Sequence, residues 1–158
     1  IIKDTGAKSI LDLGCGLNPI AIASSEAVYC ASDINEHELK IIADFFRQKN
    51  IKGETFVCDL KKIDKSLPKT DLCLLFKVLD VVDPAGKNRG KVTKKILSEV
   101  PCRKFLVSFS TKKLSGKKMN FPRRARFERI LKKKKMNIST IESSKEFFYL
   151  IENHNFRI

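Results

Sequence analysis

The 158-residue chain contains no run of 18 apolar residues, which excludes a membrane-spanning helix at the level of sequence. It contains no C-x-x-C pair. Its five cysteines, Cys15, Cys30, Cys58, Cys73 and Cys102, are odd in number and far apart, which argues against a zinc site or a disulfide framework. Cys30, Cys58 and Cys73 fall in apolar runs and are expected to be small core residues. Such thiols suit a reducing cytoplasm. Only two histidines occur, and neither has a triad partner nearby in sequence. His37 is expected on an exposed helix face and His154 in the terminal tail. The start, Ile1-Ile2-Lys3-Asp4, is no signal peptide and has no initiator Met, as expected of a chain trimmed or lacking an upstream domain. No internal repeat or linker divides the sequence, so the expectation is one domain over residues 1–158. With 42% hydrophobic and 32% charged residues the chain is globular rather than disordered.

What the chain has in excess is positive charge, +14 overall. Residues 1–102 hold 16 basic and 14 acidic side chains, and residues 136–158 hold 2 and 3. Residues 103–135 hold 14 basic side chains against one acid, Glu128, a local net charge of +13. A solvated lysine-rich surface is the plain alternative. The local sign asymmetry favours a polyanion site.

Short apolar strands alternate with helical patterns. Strands are expected at 9–13, 28–33, 55–58, 71–76 and 105–109. Helices are expected over about 19–25, 35–49, 92–100 and 123–135. Asn18-Pro19 offers an N-cap and a favoured first helical residue. Residues 71–76 are a continuous apolar run, the pattern of a fully buried central strand. Residues 137–141 and 147–151 are joined too tightly for a crossover helix and are expected to form an antiparallel edge hairpin. The whole predicts an α/β fold with a mostly parallel seven-stranded sheet.

The first strand runs directly into Gly14-Cys15-Gly16 and then a helix. Glycines in such a turn let a ligand approach the backbone. In open parallel sheets ligands sit beyond the carboxyl ends of the strands. Asp33 ends the second strand, 17 residues after Gly16, where a carboxylate grips ribose hydroxyls. Asp59 ends the third strand at the same edge and is placed to face an adenine amino group. The third glycine of a dinucleotide turn is missing, because position 19 is proline. Adenosine without a pyrophosphate suggests S-adenosylmethionine. The plainer alternative is that both carboxylates only cap the segments that follow them.

Leu11-Asp12-Leu13-Gly14-Cys15-Gly16 resembles the first motif of class I methyltransferases, and the edge hairpin matches the usual ending of that Rossmann-like fold. A narrower resemblance follows. The block Leu11 to Pro19 is similar to the signature of the aminoglycoside-resistance 16S rRNA (guanine-N7) methyltransferases. So are Ala31-Ser32-Asp33-Ile34-Asn35, Leu74-Leu75-Phe76-Lys77-Val78-Leu79, and Val107-Ser108-Phe109-Ser110-Thr111 with the residues on to Gly116. The resemblance implies S-adenosylmethionine held by Gly14, Cys15, Gly16, Asn18, Asp33, Ile34, Asp59, Leu60, Phe76 and Lys77. It also implies guanine-N7 methylation in the decoding region of the small ribosomal subunit, with antibiotic resistance as the outcome, by a monomer in the cytoplasm. Members of the family carry an N-terminal helical domain that docks to the subunit. The first strand here begins near residue 9, so that domain is expected to be absent. Other RNA, such as tRNA, and a non-catalytic RNA-binding role of the same fold are the alternatives.

The acceptor side of the site is read mainly from what is missing. Amino-directed nucleic-acid methyltransferases carry a D/N-P-P-Y/F turn after the fourth strand, and this chain has Phe76-Lys77-Val78-Leu79. Pro101-Cys102 precedes the fifth strand, at the wrong edge of the sheet for a cytosine-C5 nucleophile, so Cys102 is expected to be structural. Guanine N7 carries a free lone pair, so methylation there needs neither general base nor covalent nucleophile, and positioning is the main device. Lys77 is expected either to contact the cofactor carboxylate or an RNA phosphate, or to be a snorkelling surface lysine. Lys112, Lys113, Lys117, Lys118, Arg123, Arg124 and Arg126 are the candidate phosphate contacts. Phe121 and Phe127 are the candidate stacking faces for an extruded base, and Ile130 and Leu131 are expected to pack on the sheet. Lys132 to Lys135 are expected to be a solubilising helix end.

Overall fold

Alternating strand and helix patterns require a layered molecule. The computed structural model, which describes residues 1–63, 66–83, 90–112, 123–154 and 156, has that form. A 3₁₀ turn over Lys3–Thr5 precedes β1 (Ser9–Leu13), α1 (Asn18–Ile22), β2 (Val28–Asp33), α2 (Glu36–Gln48), β3 (Gly53–Val57) and β4 (Thr70–Phe76). Then come α3 (Leu79–Val82), α4 (Lys91–Glu99), β5 (Cys102–Ser110), α5 (Ala125–Lys133), β6 (Asn137–Glu142) and β7 (Glu146–Glu152). The seven strands join in the order β3-β2-β1-β4-β5-β7-β6. The pairs among β1 to β5 are parallel, and β7 runs antiparallel to both β5 and β6.

The pleat sorts β1 between two layers. Leu11 and Leu13 join one core with Leu75, Phe105, Val107 and the buried faces of α4 and α5. Ile10 joins the other with Tyr29, Leu72, Leu74 and the α2 residues Leu39, Ile42 and Phe46. Buried polar Asp12 shares the second face through its hydrogen bond from the Tyr29 hydroxyl, 2.8 Å. Among the cysteines, Cys30, Cys73 and Cys102 are buried, whereas Cys58 is half-buried. Cys102 belongs to β5 rather than preceding it, at the amino end of that strand.

Several boundaries differ from the sequence pattern. The first helix spans five residues and ends at Ile22, because Ala23 turns to extended backbone. Asn18 is its first residue, not its cap: Leu17 takes the cap position, and no side chain closes that end. Asn35 does cap α2, accepting from the N–H groups of His37 and Glu38. His37 and His154 are exposed, as expected. The short α3 had no sequence signal, since one helical turn carries no period to detect.

Candidate functional site

The carboxyl ends of β1, β2, β3 and β4 open on a cavity of about 520 Å³. That volume lies within the usual range for small-molecule sites. Gly14, Asp33, Ile34, Cys58, Asp59, Leu60, Phe76, Lys77, Val78, Val81 and Val82 line it, with Lys61 at its rim. Seven of the ten residues assigned to the cofactor by resemblance are therefore brought together.

The other three are not among the residues that line the cavity. Cys15 does not line the cavity: it is buried in the core that includes α2, and desolvation pushes its thiol well above the ordinary range. Asn18 lies within α1, away from the lining. Gly16 acts through its backbone, donating its N–H to Asp33 Oδ2 at 2.9 Å. Cys58, Val78, Val81 and Val82 were missed, because apolar residues beside a strand end look like core in a sequence.

The glycine turn is closed by local geometry. Gly14 and Gly16 have φ of 66° and 50°, the left-handed region that costs glycine little. A Cβ on Gly14 would come within 2.6 Å of Val78 Cγ2. Asp33 is the hinge of the arrangement: Oδ2 accepts from Gly16, and Oδ1 accepts from the N–H of Ile34 at 2.7 Å and of Asn35 at 3.1 Å. A carboxylate offers about four acceptor sites, so one remains after three N–H donors. Asp59 Oδ1 accepts from the Lys61 N–H at 2.9 Å. Both aspartates thus cap local backbone, and both also line the cavity. Ile34 and Val81, 70% and 72% exposed, form its apolar rims. Apolar rims, two acceptor carboxylates and a glycine floor fit an adenosine.

Lys77 has φ of 57°, unusual for a residue with a side chain. Its N–H donates to Ser108 O, and its Nζ lies 3.1 Å from Glu146 Oε1. Lys77 therefore has a protein partner on β7 rather than being a free surface lysine. Thr111 ties the β6–β7 turn to the end of β5, its N–H donating to Lys145 O and its hydroxyl to Ser144 O.

Across α3 from the cofactor cavity lies a second, smaller one of about 210 Å³ between α3, α4, β5 and α5. Arg123, Arg124 and Arg126 line it with Asp80, Asp83 and Phe109. Arg124 is drawn inward. Its guanidinium lies 5.1 Å from the centre of the Phe109 ring and donates to Asp80 Oδ2 at 3.0 Å and to Ser110 O. Its backbone N–H donates to the Tyr149 hydroxyl, which donates in turn to Glu128. Glu128 also holds Arg123 at 2.7 Å. Phe127 is buried against Phe109 and Tyr149 and also lines this cavity. Ile130 and Leu131 pack in the core as expected, and Lys112 is exposed. Lys113, Lys117, Lys118 and Phe121 lie outside the described residues. No described helix is long and apolar enough to cross a membrane.

A mostly parallel sheet ending in an antiparallel hairpin, with this cavity at its switch point, defines the class I methyltransferase fold. Residues 5–150 match the model of the FmrO ribosomal RNA methyltransferases, and the chain belongs to that family. It is 28% identical over 152 aligned positions to the 16S rRNA (guanine(1405)-N(7))-methyltransferase of Micromonospora echinospora, covering 91% of this chain and 53% of the relative. The chain thus spans about half the length of the curated relatives it matches. Among solved structures it resembles the 16S rRNA methyltransferase RmtF in complex with S-adenosyl-L-homocysteine (TM-score 0.71, 21% identity, 93% of this chain and 56% of that one). It also resembles the 16S rRNA methylase ArmA (TM-score 0.69, 24% identity, 93% and 74%).

Proposed function

We propose that this chain is the catalytic domain of an S-adenosylmethionine-dependent methyltransferase that modifies a guanine N7 of small-subunit rRNA. The observation that carries the reading is the single cavity built by Gly14, Asp33 and Asp59, in a chain whose family match spans residues 5–150. The cofactor, when bound, supplies an electrophilic sulfonium methyl group.

The protein's own contribution is placement. The remaining acceptor site of Asp33 takes a ribose hydroxyl, and Asp59 accepts from the adenine amino group. Ile34 and Val81 enclose the base between apolar surfaces. Gly14 lets the ligand lie against the backbone where a Cβ would already collide with Val78. No side chain is required to remove a proton, because N7 has none. Holding the acceptor in line with the methyl group is then the main source of rate. Lys112, Arg123 and Arg126, between the end of β5 and the first turn of α5, supply phosphate contacts.

The test is transfer of tritiated methyl groups to 16S rRNA and to assembled small subunits, followed by borohydride reduction and aniline cleavage. N7-methylguanosine has a labile glycosidic bond after reduction, so a single cut is expected. A product identified as N6-methyladenosine or 5-methylcytidine sinks the N7 assignment. Transfer to tRNA in preference to rRNA replaces the substrate.

A further inference from the structure

We propose that the cavity between α3 and α5 is a guanine-edge subsite in which Asp80 reads the N1–H and N2–H donors of the target base; this rests on the reading of the chain as a guanine methyltransferase and names how the guanine is chosen.

The starting point is a carboxylate in the wrong electrostatic place. Asp80 is half exposed and lines a cavity whose other charged walls are Arg123, Arg124, Arg126 and Asp83. Asp83 has a structural duty: its Oδ2 accepts the Thr93 N–H at 2.8 Å, in the first turn of α4. Asp80 has no comparable duty toward the backbone. Arg124 donates to its Oδ2, and no donor among the described residues meets Oδ1. Its ion pair with Arg124 engages Oδ2 and leaves Oδ1 to accept a hydrogen bond from a base.

Base chemistry then narrows the choice. A carboxylate is acceptor-only and has two adjacent oxygens. Of the four RNA bases, guanine alone presents two adjacent donors, N1–H and N2–H. Adenine and cytosine place an acceptor beside their amino group, and uracil flanks its single N–H with two carbonyls. A carboxylate also holds guanine by the edge opposite N7, which leaves the methyl acceptor free. The two cavities have one element in common. The one-turn helix α3 is shared between the two cavities, with Val81 and Val82 lining the cofactor side and Leu79 and Asp80 the other. Arg124 holds Asp80 from an anchored position, fixed by Ser110 O, the Phe109 ring and Tyr149. The cavity's 210 Å³ suits a single heterocycle rather than a larger ligand.

The experiment compares guanosine 5′-monophosphate with inosine 5′-monophosphate, which lacks only the N2 amino group. Each is titrated into the protein in the presence of S-adenosylhomocysteine, with binding followed by NMR shifts. Guanosine monophosphate should bind roughly tenfold more tightly, the scale of one base-edge hydrogen-bond pair, with shifts at Gly90, Thr93 and Arg124. Asp80→Asn should erase the difference. Asp80 is exposed, so the variant is expected to fold; Asp80→Glu, which keeps the two acceptors, should retain part of the preference. Equal binding of the two nucleotides, no binding of either, or a preference that survives Asp80→Asn overturns the subsite. Methyl transfer to rRNA is measured separately. Wild-type transfer without nucleotide preference leaves the function standing and removes the subsite. A preference without transfer to any RNA does the reverse.

Discussion

Asp12, two residues before Gly14, and Asp33, which accepts the Gly16 N–H, adjoin the same glycine turn with opposite fates. Asp33 accepts three backbone N–H groups and faces the cavity. Asp12 is buried, accepts from Tyr29 through Oδ2, and leaves Oδ1 without a partner. Desolvation, opposed by the Tyr29 hydrogen bond and reinforced by the nearby Asp33 charge, raises the Asp12 carboxyl to about 7. The native state therefore holds a proton there that the unfolded chain has released. Native stability from this group is complete below about pH 4 and is lost as pH rises toward 7. Asp12→Asn keeps the acceptor for Tyr29 and removes the buried charge. It should match the wild type near pH 4 and become progressively more stable up to pH 8, as read by urea unfolding at each pH. A pH-independent difference would place the proton elsewhere. For Asp33, replacement by alanine should weaken S-adenosylhomocysteine binding by about 1–3 kcal/mol in calorimetry, the scale of hydrogen bonds to a charged group. Unchanged affinity would move the ribose grip to another residue.

Strand β3 and the β6–β7 turn show how whole elements depend on single backbone contacts. Gly53 begins β3 where a Cβ would come within 1.9 Å of the Tyr29 carbonyl oxygen on β2. Backbone cannot give way as a flexible side chain does. Gly53→Ala should cost about 1–3 kcal/mol by thermal or urea unfolding, with disturbance centred on the β2–β3 edge and Asp59. The block Val107-Ser108-Phe109-Ser110-Thr111, similar in sequence to a family signature, proves to be a fastening as well. Thr111 secures the turn that carries Glu146, and Glu146 pairs with Lys77 at the cavity. Thr111→Val should cost roughly 0.5–1.5 kcal/mol. Its methyl-transfer rate should fall more than its cofactor affinity, because the perturbation reaches the site only through Glu146 and Lys77. Cofactor affinity falling in step with rate would argue that the turn supports the cofactor pocket itself.

For the molecule as a whole, the excess charge divides between the two edges of the sheet. The carboxyl ends of the parallel strands carry the cavities, with Lys112, Arg123, Arg124 and Arg126 after the end of β5, whereas Arg103 meets Asp71 at the amino end of β4 and Lys134 meets Ser98 near the end of α4. Binding to rRNA fragments should weaken steeply with added salt, since each neutralised phosphate releases counterions. Replacing Lys112, Lys113, Lys117 and Lys118 by glutamine should flatten the slope of log affinity against log salt by up to about 3–4, measured by filter binding or fluorescence anisotropy. An unaltered slope would return these lysines to a solvated surface. Arg124→Gln should behave differently: because its guanidinium is tied to Asp80, Ser110 and the Phe109 ring, it should lower stability more than it changes the salt slope.

Much of this is legible in the sequence. Alternating apolar runs implied a layered α/β fold, since period-2 and period-3.6 patterns follow directly from backbone geometry. Gly14, Asp33 and Asp59 were legible as a site because each ends or follows a strand, and parallel strands bring their carboxyl ends to one edge. The uneven charge needed only counting. Partnership was not legible. Which arginine turns inward, that Phe127 packs among Phe109 and Tyr149, that Lys77 meets Glu146, and that Val78 and Val81 wall the cavity all depend on residues far apart in the chain. Side chains of one type read alike along a sequence, and their roles separate only when folding sets each against a particular neighbour.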